Sequence, residues 1–344
     1  RLVVHFLWLW FAFKLYISTA TRFQERLIDE GFFIFKSVTS PIHFRMITQS
    51  LMRDFITAYE LKVLGWQEQD NFLAYADGVF ADGQFKRVNS YGIVQVDRDD
   101  KDLSEYAIDV KHYYSPAFSE VYKGAREGDD PHENDRYFIY KKSPVSIKSW
   151  SDKMVRVYGN RGRIGVAFAL ASIFWDFIIS RYNFFPHLYL TGEKESGKST
   201  YANSIASVFT HGLAPFDLNS GTLSAFFRRI ARIKNIPVVL EEFNDNIDAR
   251  MFQGLKSAYD GRGREIGVKS QDNKTLISKV NSSCIITGQY LSAKDDNALT
   301  SRSIVMHFIK GNYTKEDKES FNALRLWEEE GMSSLVIDVV AHRA

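Results

Sequence analysis

The sequence predicts an α/β fold built on a parallel β-sheet, and two observations carry this prediction. From about Ile147 to Phe308, helix-like and strand-like segments alternate, as they do in chains that form parallel sheets. Within that region an apolar run, Leu188–Leu190, leads through a glycine-rich loop into a helix-like segment that starts near Thr200. A strand, a loop and a helix in this order form the repeating unit of such a sheet.

Length and composition narrow the class of protein. The chain has 344 residues, which favours two or three domains with sizeable cores. Its formal net charge is +2, so any binding of nucleic acid must rely on local patches. The single cysteine, Cys284, excludes a disulfide framework, which is typical of a reducing compartment, and we expect a cytoplasmic protein. The apolar run Leu2–Phe13 is shorter than the roughly 20 residues of a membrane span, so we expect a buried helix or strand pair and no membrane partner. An internal or peripheral membrane contact is the alternative.

Changes of texture along the chain predict four regions. Helix-period apolar positions precede a stretch of short β-like runs with Asp-Gly turns, and these together form a mixed N-terminal part. The α/β core follows, and a helical segment ends the chain. Because the first residue is not Met and the last segment resembles an unfinished helix, we expect the chain to be a fragment of a longer protein, with this final segment truncated. The predicted regions are 1–64 (helical), 65–146 (small and β-rich, with an exposed loop), 147–310 (the α/β core) and 311–344 (helical).

The glycine-rich loop has the spacing G-x-x-x-x-G-K-S, which is typical of loops that bind nucleotide phosphates. Backbone N–H groups of such a loop wrap the phosphates, Lys198 can reach the β- and γ-phosphates, and the Ser199 hydroxyl can ligate Mg²⁺. We therefore predict ATP and Mg²⁺ as ligands; the alternative is a glycine-rich turn with a solvated lysine. The predicted nucleotide-binding residues are Gly192, Glu193, Lys194, Glu195, Ser196, Gly197, Lys198, Ser199 and Thr200.

Two acids supply what hydrolysis needs beyond binding, a carboxylate on the metal and a group that orients water. The apolar run Ile236–Leu240 ends in Glu241 and Glu242, and a parallel strand would bring its carboxyl end beside the loop. We assign Glu241 to the metal and Glu242 to the water, although the sequence leaves open which acid does which. The alternative is an acid pair that caps a strand end.

Two further residues are candidates for catalysis. The apolar run Cys284–Ile286 leads to Gln289, which could contact the γ-phosphate or the attacking water; Thr287 is the alternative for this role. Arg302 stands directly before another apolar run, where it could reach the nucleotide of a neighbouring subunit and stabilise charge in the transition state. A surface arginine is the alternative.

Between the acid pair and Gln289, two β-like arms flank a turn at Gln271–Asn273 with lysines on either side. This pattern predicts a hairpin with a basic tip, and Lys269 and Lys274 are the predicted contacts to nucleic acid. An ordinary surface hairpin is the alternative.

The order of these elements resembles the AAA+ core, and the hairpin before the last two strands is similar to that of superfamily three replication helicases. More narrowly, the chain resembles helicases and primase-helicases of phages, plasmids and integrated mobile elements, over roughly 65–308. The phrases that carry this likeness are Gly65–Trp66, Asn183–Pro186 and Ala258–Arg264. The resemblance implies a P-loop NTPase core that moves along single-stranded or forked DNA as a homo-oligomer, usually a hexameric ring. The chain departs from the family pattern at Glu241, where the usual residue is Asp.

The leading hypothesis is thus an ATP-hydrolysing DNA helicase or translocase that acts in the replication of a mobile element or phage. An oligomerising switch ATPase of defence or regulation, without translocation, is the alternative. A small-molecule kinase is a third possibility, but such enzymes rarely combine an acid pair, a basic hairpin and an arginine before a strand.

Overall fold

A computed structural model of the chain describes residues 2–3, 17–18, 46, 57–98, 109–122, 130–267, 275–292, 297–311 and 313–343. It forms two compact units, one made of residues 1–60 and 88–130 and the other of residues 61–87 and 131–344. The second unit holds the predicted α/β core together with part of the predicted β-rich region. The four-region division made from the sequence stays a prediction.

The described strands and helices have the following bounds. The strands are β1 Leu2–Val3, β2 Ile17–Ser18, β3 Ala58–Glu60, β4 Leu64–Gln67, β5 Phe72–Tyr75, β6 Gly78–Ala81, β7 Gln84–Arg87, β8 Ile93–Arg98, β9 Asp109–Tyr114, β10 His187–Gly192, β11 Phe216–Asp217, β12 Ile233–Lys234, β13 Pro237–Phe243, β14 Arg264–Gly267, β15 Thr275–Ser278, β16 Ser283–Gly288 and β17 Ser303–Phe308. The α-helices are α1 Ile147–Tyr158, α2 Asn160–Ile173, α3 Trp175–Tyr182, α4 Lys198–Ala206, α5 Leu223–Ala231, α6 Ala249–Tyr259, α7 Lys315–Glu330 and α8 Ser334–Val340.

The larger unit is organised by a five-stranded sheet in the order β11-β13-β16-β10-β17. Every pairing in it is parallel, so the predicted α/β fold with a parallel sheet is confirmed. Parallel neighbours require crossover connections, and helices such as α4 and α6 provide them. The central strands β10 and β16 are buried along their whole length, which explains their continuous apolar runs.

Local sequence determines where several helices begin. The side chain of Thr222 accepts a hydrogen bond from the amide of Ala225 and caps α5. At the start of α7, Thr314 and Asp317 form a reciprocal capping box. Such caps satisfy backbone N–H groups that have no partner within the helix.

The same unit contains a second sheet in the order β12-β4-β5-β6-β7. Its strands β4 to β7 form an antiparallel meander, and Asp82 and Gly83 turn between β6 and β7 with positive φ. This is the hairpin chemistry that the Asp-Gly pair predicts. The first of the β-like runs expected from the sequence, Phe72–Ala76, contains β5.

The smaller unit contains a sheet in the order β3-β9-β8, with β3 parallel and β8 antiparallel to β9. Strands β1 and β2 pair antiparallel. Most of the segment predicted to be helical, 1–64, lies outside the described residues, and residues 58–60 form β3 where the helical pattern would continue.

Among the described residues, no single helix has the length and apolar composition needed to cross a membrane. Helices α2 and α3 have this length and composition only when they are taken together, and the pair is bent by 80° at its junction.

Candidate functional site

The glycine-rich loop leaves the sheet at Gly192, the last residue of β10. The Gly192 amide donates to the Gln289 carbonyl on one side, at 3.2 Å. On the other side, a Cβ at Gly192 would lie 2.0 Å from the backbone oxygen of Phe308, and its φ is +137°. A residue with a side chain therefore fits neither the space nor the backbone conformation, which gives the first glycine of the motif a steric reason.

The loop ends in an uncapped helix. Gly197, at φ +92°, precedes α4 and has no side chain to accept from the first-turn amides. Glu195 also adopts a left-handed conformation, at φ +64°. Backbone that alternates in this way presents N–H groups on a concave surface, and the free amides of a helix N-terminus add to it. The loop is therefore shaped as an anion cradle.

Lys198 points into that cradle. Its Nζ donates to the carbonyl oxygens of Gly192 at 2.8 Å and Glu193 at 2.6 Å, and lies 3.5 Å from the Ser196 hydroxyl. Burial lowers the pKa of the Lys198 ammonium, and the negative charge of Glu242 partly offsets this effect. A cation and a carboxylate thus act on one another across the loop.

The two acids lie in a β-bulge at the end of β13. Leu240 pairs with Ile286 and Phe243 pairs with Gly288, so β13 has one residue more than its partner between these pairs. Glu242 takes φ +58° and is exposed, whereas Glu241 is half-buried. Bulges bend a strand and redirect its side chains, often beside active sites.

One oxygen of this pair lacks a partner. Oε1 of Glu241 is buried and makes no hydrogen bond with any residue that the structure describes. Carboxylate and hydroxyl oxygens are the ligands that Mg²⁺ prefers, and Mg²⁺ is usually held by one or two protein oxygens together with substrate phosphates. The Glu241 carboxylate and the exposed hydroxyl of Ser199, in the first turn of α4, fit such an ion.

The segment that follows β16 is tied to its neighbours at three points. Besides the contact of Gln289 with Gly192, the Tyr189 hydroxyl donates to the Tyr290 carbonyl at 2.7 Å. The Ser292 hydroxyl donates to Asp245 at 2.8 Å. Gln289 therefore lies beside the loop on an anchored backbone, with its side chain exposed.

Arg302 lies at the amino ends of the strands, whereas the loop lies at their carboxyl ends. Ser303, the residue after it, pairs with His187 at the amino end of β10, five residues before Gly192, where the loop leaves the sheet. At about 3.3 Å per residue, that separation is roughly 17 Å. The Arg302 guanidinium donates to the Ala298 carbonyl at 2.8 Å and lies 5.6 Å from the Tyr259 ring centroid. The sheet therefore brings together the loop, Glu241 and Glu242, but not Arg302.

The predicted hairpin has its two arms in β14 and β15, which pair antiparallel with Gly267 opposite Thr275. The predicted contacts Lys269 and Lys274 lie outside the described residues, so their role stays a prediction.

Sequence reasoning missed the bulge and the anchored segment after β16. A one-residue change of register leaves no mark in the run Val238–Phe243, because its apolar and acidic pattern would look the same in a regular strand. The polar residues that follow β16 carried a signal, but only the fold shows what they contact.

Comparison with known proteins gives a likeness in structure alone. No known family profile and no curated protein matches the sequence. The structure of SCCmec type IV Cch, an active helicase, is similar over 96% of this chain and 55% of that one, with 18% identity and a TM-score of 0.51. The chain thus spans about half the length of that helicase. The fold is shared with a helicase, and the resemblance that the sequence predicted is confirmed at the level of the fold.

Two other solved structures have lower scores. The apo C-terminal region of NrS-1 is similar over 95% of this chain and 63% of its own, with 11% identity and a TM-score of 0.34. The JCV helicase is similar over 58% of this chain and 55% of its own, with 13% identity and a TM-score of 0.31.

Proposed function

We propose that this chain is an ATP-hydrolysing motor that moves on or unwinds DNA during replication of a mobile element or phage. Its core would be a P-loop NTPase of the AAA+ type. The observation that carries the proposal is the meeting of an anion cradle, a lysine and two bulge-borne acids at one edge of a parallel sheet. Ligands of such sheets bind outside the carboxyl ends of the strands, at this edge.

The cradle binds the triphosphate through backbone amides of the loop after Gly192 and of the first turn of α4. In the free chain the Lys198 ammonium is hydrogen-bonded to two loop carbonyls. We propose that it exchanges these neutral acceptors for phosphate oxygens, which form stronger, charge-assisted bonds with an ammonium. Binding therefore reuses a cation that the loop already holds in place.

Glu241 and Ser199 would hold Mg²⁺ through oxygen atoms. When bound, this ion neutralises charge on the β- and γ-phosphates. The unpartnered buried oxygen of Glu241 supports the assignment, since a cation would satisfy it. Glu241 is thus the metal-side acid of the pair.

Glu242 would orient the attacking water and take up its proton. The Glu242 backbone is in the left-handed conformation, which costs about 1–3 kcal/mol, and its carboxylate is exposed. This conformation turns the side chain away from the direction of the strand. Gln289, on its anchored segment beside Gly192, could hold the same water or the γ-phosphate. Both residues approach the phosphates from the solvent side.

Arg302 cannot reach the cradle of its own chain, since the length of β10 separates them. We propose that it completes the site of a neighbouring copy, where its charge stabilises the transition state. This requires a head-to-tail assembly that closes into a ring, for which we propose a hexamer. Lys269 and Lys274 would then contact a single strand or a fork inside the ring.

The test is ATPase activity of the purified chain with and without single-stranded DNA. We expect Glu242→Gln to lower the rate by a factor of 100 or more while ATP still binds, as for loss of a water-activating group. Lys274→Ala should remove the stimulation by DNA. Lys148→Ala, which removes a lysine whose side chain is 83% exposed on α1, is the matched control and should leave it intact.

Three outcomes would contradict the proposal. If the basal rate equals the rate with saturating DNA at every salt concentration, the motor is wrong and a nucleotide-controlled switch explains the site. If a phosphorylated small molecule accumulates, the chain is a kinase. If no heat of binding is detected with magnesium and ATP, the site does not bind nucleotide.

A further inference from the structure

The guanidinium of Arg302 has few polar partners in its own chain. Among the described residues, its only side-chain hydrogen bond joins Nη1 to the Ala298 carbonyl at 2.8 Å. Its Nε is buried and makes no hydrogen bond with a described residue, and no described carboxylate lies within ion-pair distance of it. The described part of the chain therefore leaves the charge of this arginine without a counter-ion.

The aromatic ring of Tyr259 supplies the other contact. Cζ of Arg302 lies 5.6 Å from the ring centroid, within the roughly 6 Å range of a cation–π interaction. A carboxylate would orient the guanidinium and also cancel its charge, whereas an aromatic face orients it and leaves the charge in place. The N–H edge of Arg302 thus stays available for a phosphate oxygen.

The Tyr259 ring is itself held in place by the segment that leads into β10. Tyr259 is the last residue of α6, and its carbonyl accepts from the Phe185 amide at 2.8 Å. One turn earlier on α6, the Leu255 carbonyl accepts from Nε2 of His187 at 2.8 Å. The Phe184 ring stacks on that of Tyr259, with the centroids 5.2 Å apart and the planes at 15°. Because these contacts fix the end of α6 against the start of β10, the tyrosine is a rigid support.

We propose that Tyr259 is a positioning residue for Arg302, whose guanidinium it holds in the orientation that reaches the nucleotide of the neighbouring copy. This inference rests on the proposed function and deepens it by naming what holds the arginine. Arg302 acts on charge that develops in the transition state, so loss of the support lowers turnover and leaves ATP binding unchanged. The contact uses the face of the ring and not the hydroxyl, so phenylalanine serves equally well.

The experiment measures kcat and KM for ATP hydrolysis, together with the affinity for ATPγS by calorimetry. Tyr259→Leu keeps an apolar side chain and removes the π-face. It should lower kcat about two- to thirtyfold, the range for loss of a cation–π contact, with KM and ATPγS affinity unchanged. Tyr259→Phe should behave as the wild type. The matched control is Tyr182→Leu, which removes a 62% exposed ring that lies 5.9 Å from Arg181 on α3 and should change nothing.

A double-mutant cycle separates positioning of Arg302 from a general structural role of the tyrosine. Single-turnover hydrolysis, with protein in excess over radiolabelled ATP, measures the residual rate of Arg302→Ala. Addition of Tyr259→Leu to that variant should lower the rate no further, because the ring then has no guanidinium to orient. A loss by the same factor in both backgrounds would overturn the proposal, since Tyr259 would then act independently of Arg302.

The remaining outcomes distinguish this inference from the proposed function. If Arg302→Ala is inactive in steady state and Tyr259→Leu has the wild-type kcat, the positioning role is wrong while the proposed function stands. Weakened ATPγS binding by Tyr259→Leu, or an equal loss of kcat in Tyr259→Phe, would also overturn the role of the ring face. If the wild type hydrolyses no ATP, or Arg302→Ala hydrolyses it at the wild-type rate, the proposed function fails at this site and takes the inference with it.

Discussion

Replacement of Glu241 by methionine is expected to make the free chain more stable and to abolish magnesium-dependent ATP hydrolysis. Its Oε1 atom is buried and has no hydrogen-bond partner among the described residues, and such an atom costs about 1–3 kcal/mol of folding free energy. Since Glu241 is only half-buried, the lower end of that range, about 1 kcal/mol, applies. Methionine keeps a similar volume and removes the charge.

The size of the unit converts this energy into a melting temperature. Glu241 belongs to the unit made of residues 61–87 and 131–344. For a body of this size, 1 kcal/mol corresponds to a shift in Tm of about 2–4 °C. We therefore expect Glu241→Met to melt about 2–4 °C above the wild type in EDTA. With magnesium and ATPγS the order should reverse, because only the wild type gains stability from the bound ion.

The assay is thermal unfolding followed by intrinsic fluorescence, together with a phosphate-release assay. Glu242→Met is the matched control, since its carboxylate is exposed and its removal should leave Tm in EDTA unchanged. A Tm of Glu241→Met at or below that of the wild type in EDTA would refute the argument that this oxygen is left unpaired to bind a cation. An unaltered rate of ATP hydrolysis by Glu241→Met would refute it as well.

Three further predictions follow from the geometry. Gly192→Ala should lower Tm by more than 5 °C and prevent nucleotide binding, because its Cβ would lie 2.0 Å from a backbone oxygen. Gly83→Ala, at φ +74° with open space around it, should lower the free energy of unfolding by only about 1 kcal/mol. Equal losses of stability in the two variants would contradict this prediction. Arg302→Ala should abolish steady-state ATPase activity while leaving ATPγS affinity unchanged in calorimetry. Arg250→Ala, which removes an exposed arginine paired with its own helix cap, should leave both the ATPase rate and the ATPγS affinity unchanged. Burial lowers the pKa of His187 to about 4, so below about pH 6.5 the unfolded chain binds a proton that the folded chain does not, and stability falls as the pH drops toward 4. Urea unfolding at pH 7 and pH 5 should therefore show a loss larger in the wild type than in His187→Gln by about 2 kcal/mol, and parallel losses would rule out this histidine as the cause.

The sequence predicted those parts of the site that depend on local spacing. The loop from Gly192 to Ser199 could be located because its residue types are required by close approach of backbone to phosphate. The strand that ends in Glu241 could be located because a buried strand of a parallel sheet is apolar throughout and its end is marked by the first charge. Both features lie within a few residues of chain.

Features that depend on pairing could not be predicted. The bulge at Glu241 and Glu242 is a change of register against β16, and the sequence of β13 alone does not contain it. The separation of Arg302 from the loop follows from the direction of β17 in the sheet.

The placement of Arg302 and the glycine-rich loop at opposite ends of the same strands has a genetic consequence. If each site takes its arginine from the next copy, a copy with Arg302→Ala still contributes an intact cradle, and one with Glu242→Gln still contributes an intact arginine. Random co-assembly of these two inactive variants in equal amounts would place an intact cradle against an intact Arg302 at about one subunit interface in four. Two variants that are each inactive alone should then regain part of the activity when they are expressed in the same cell.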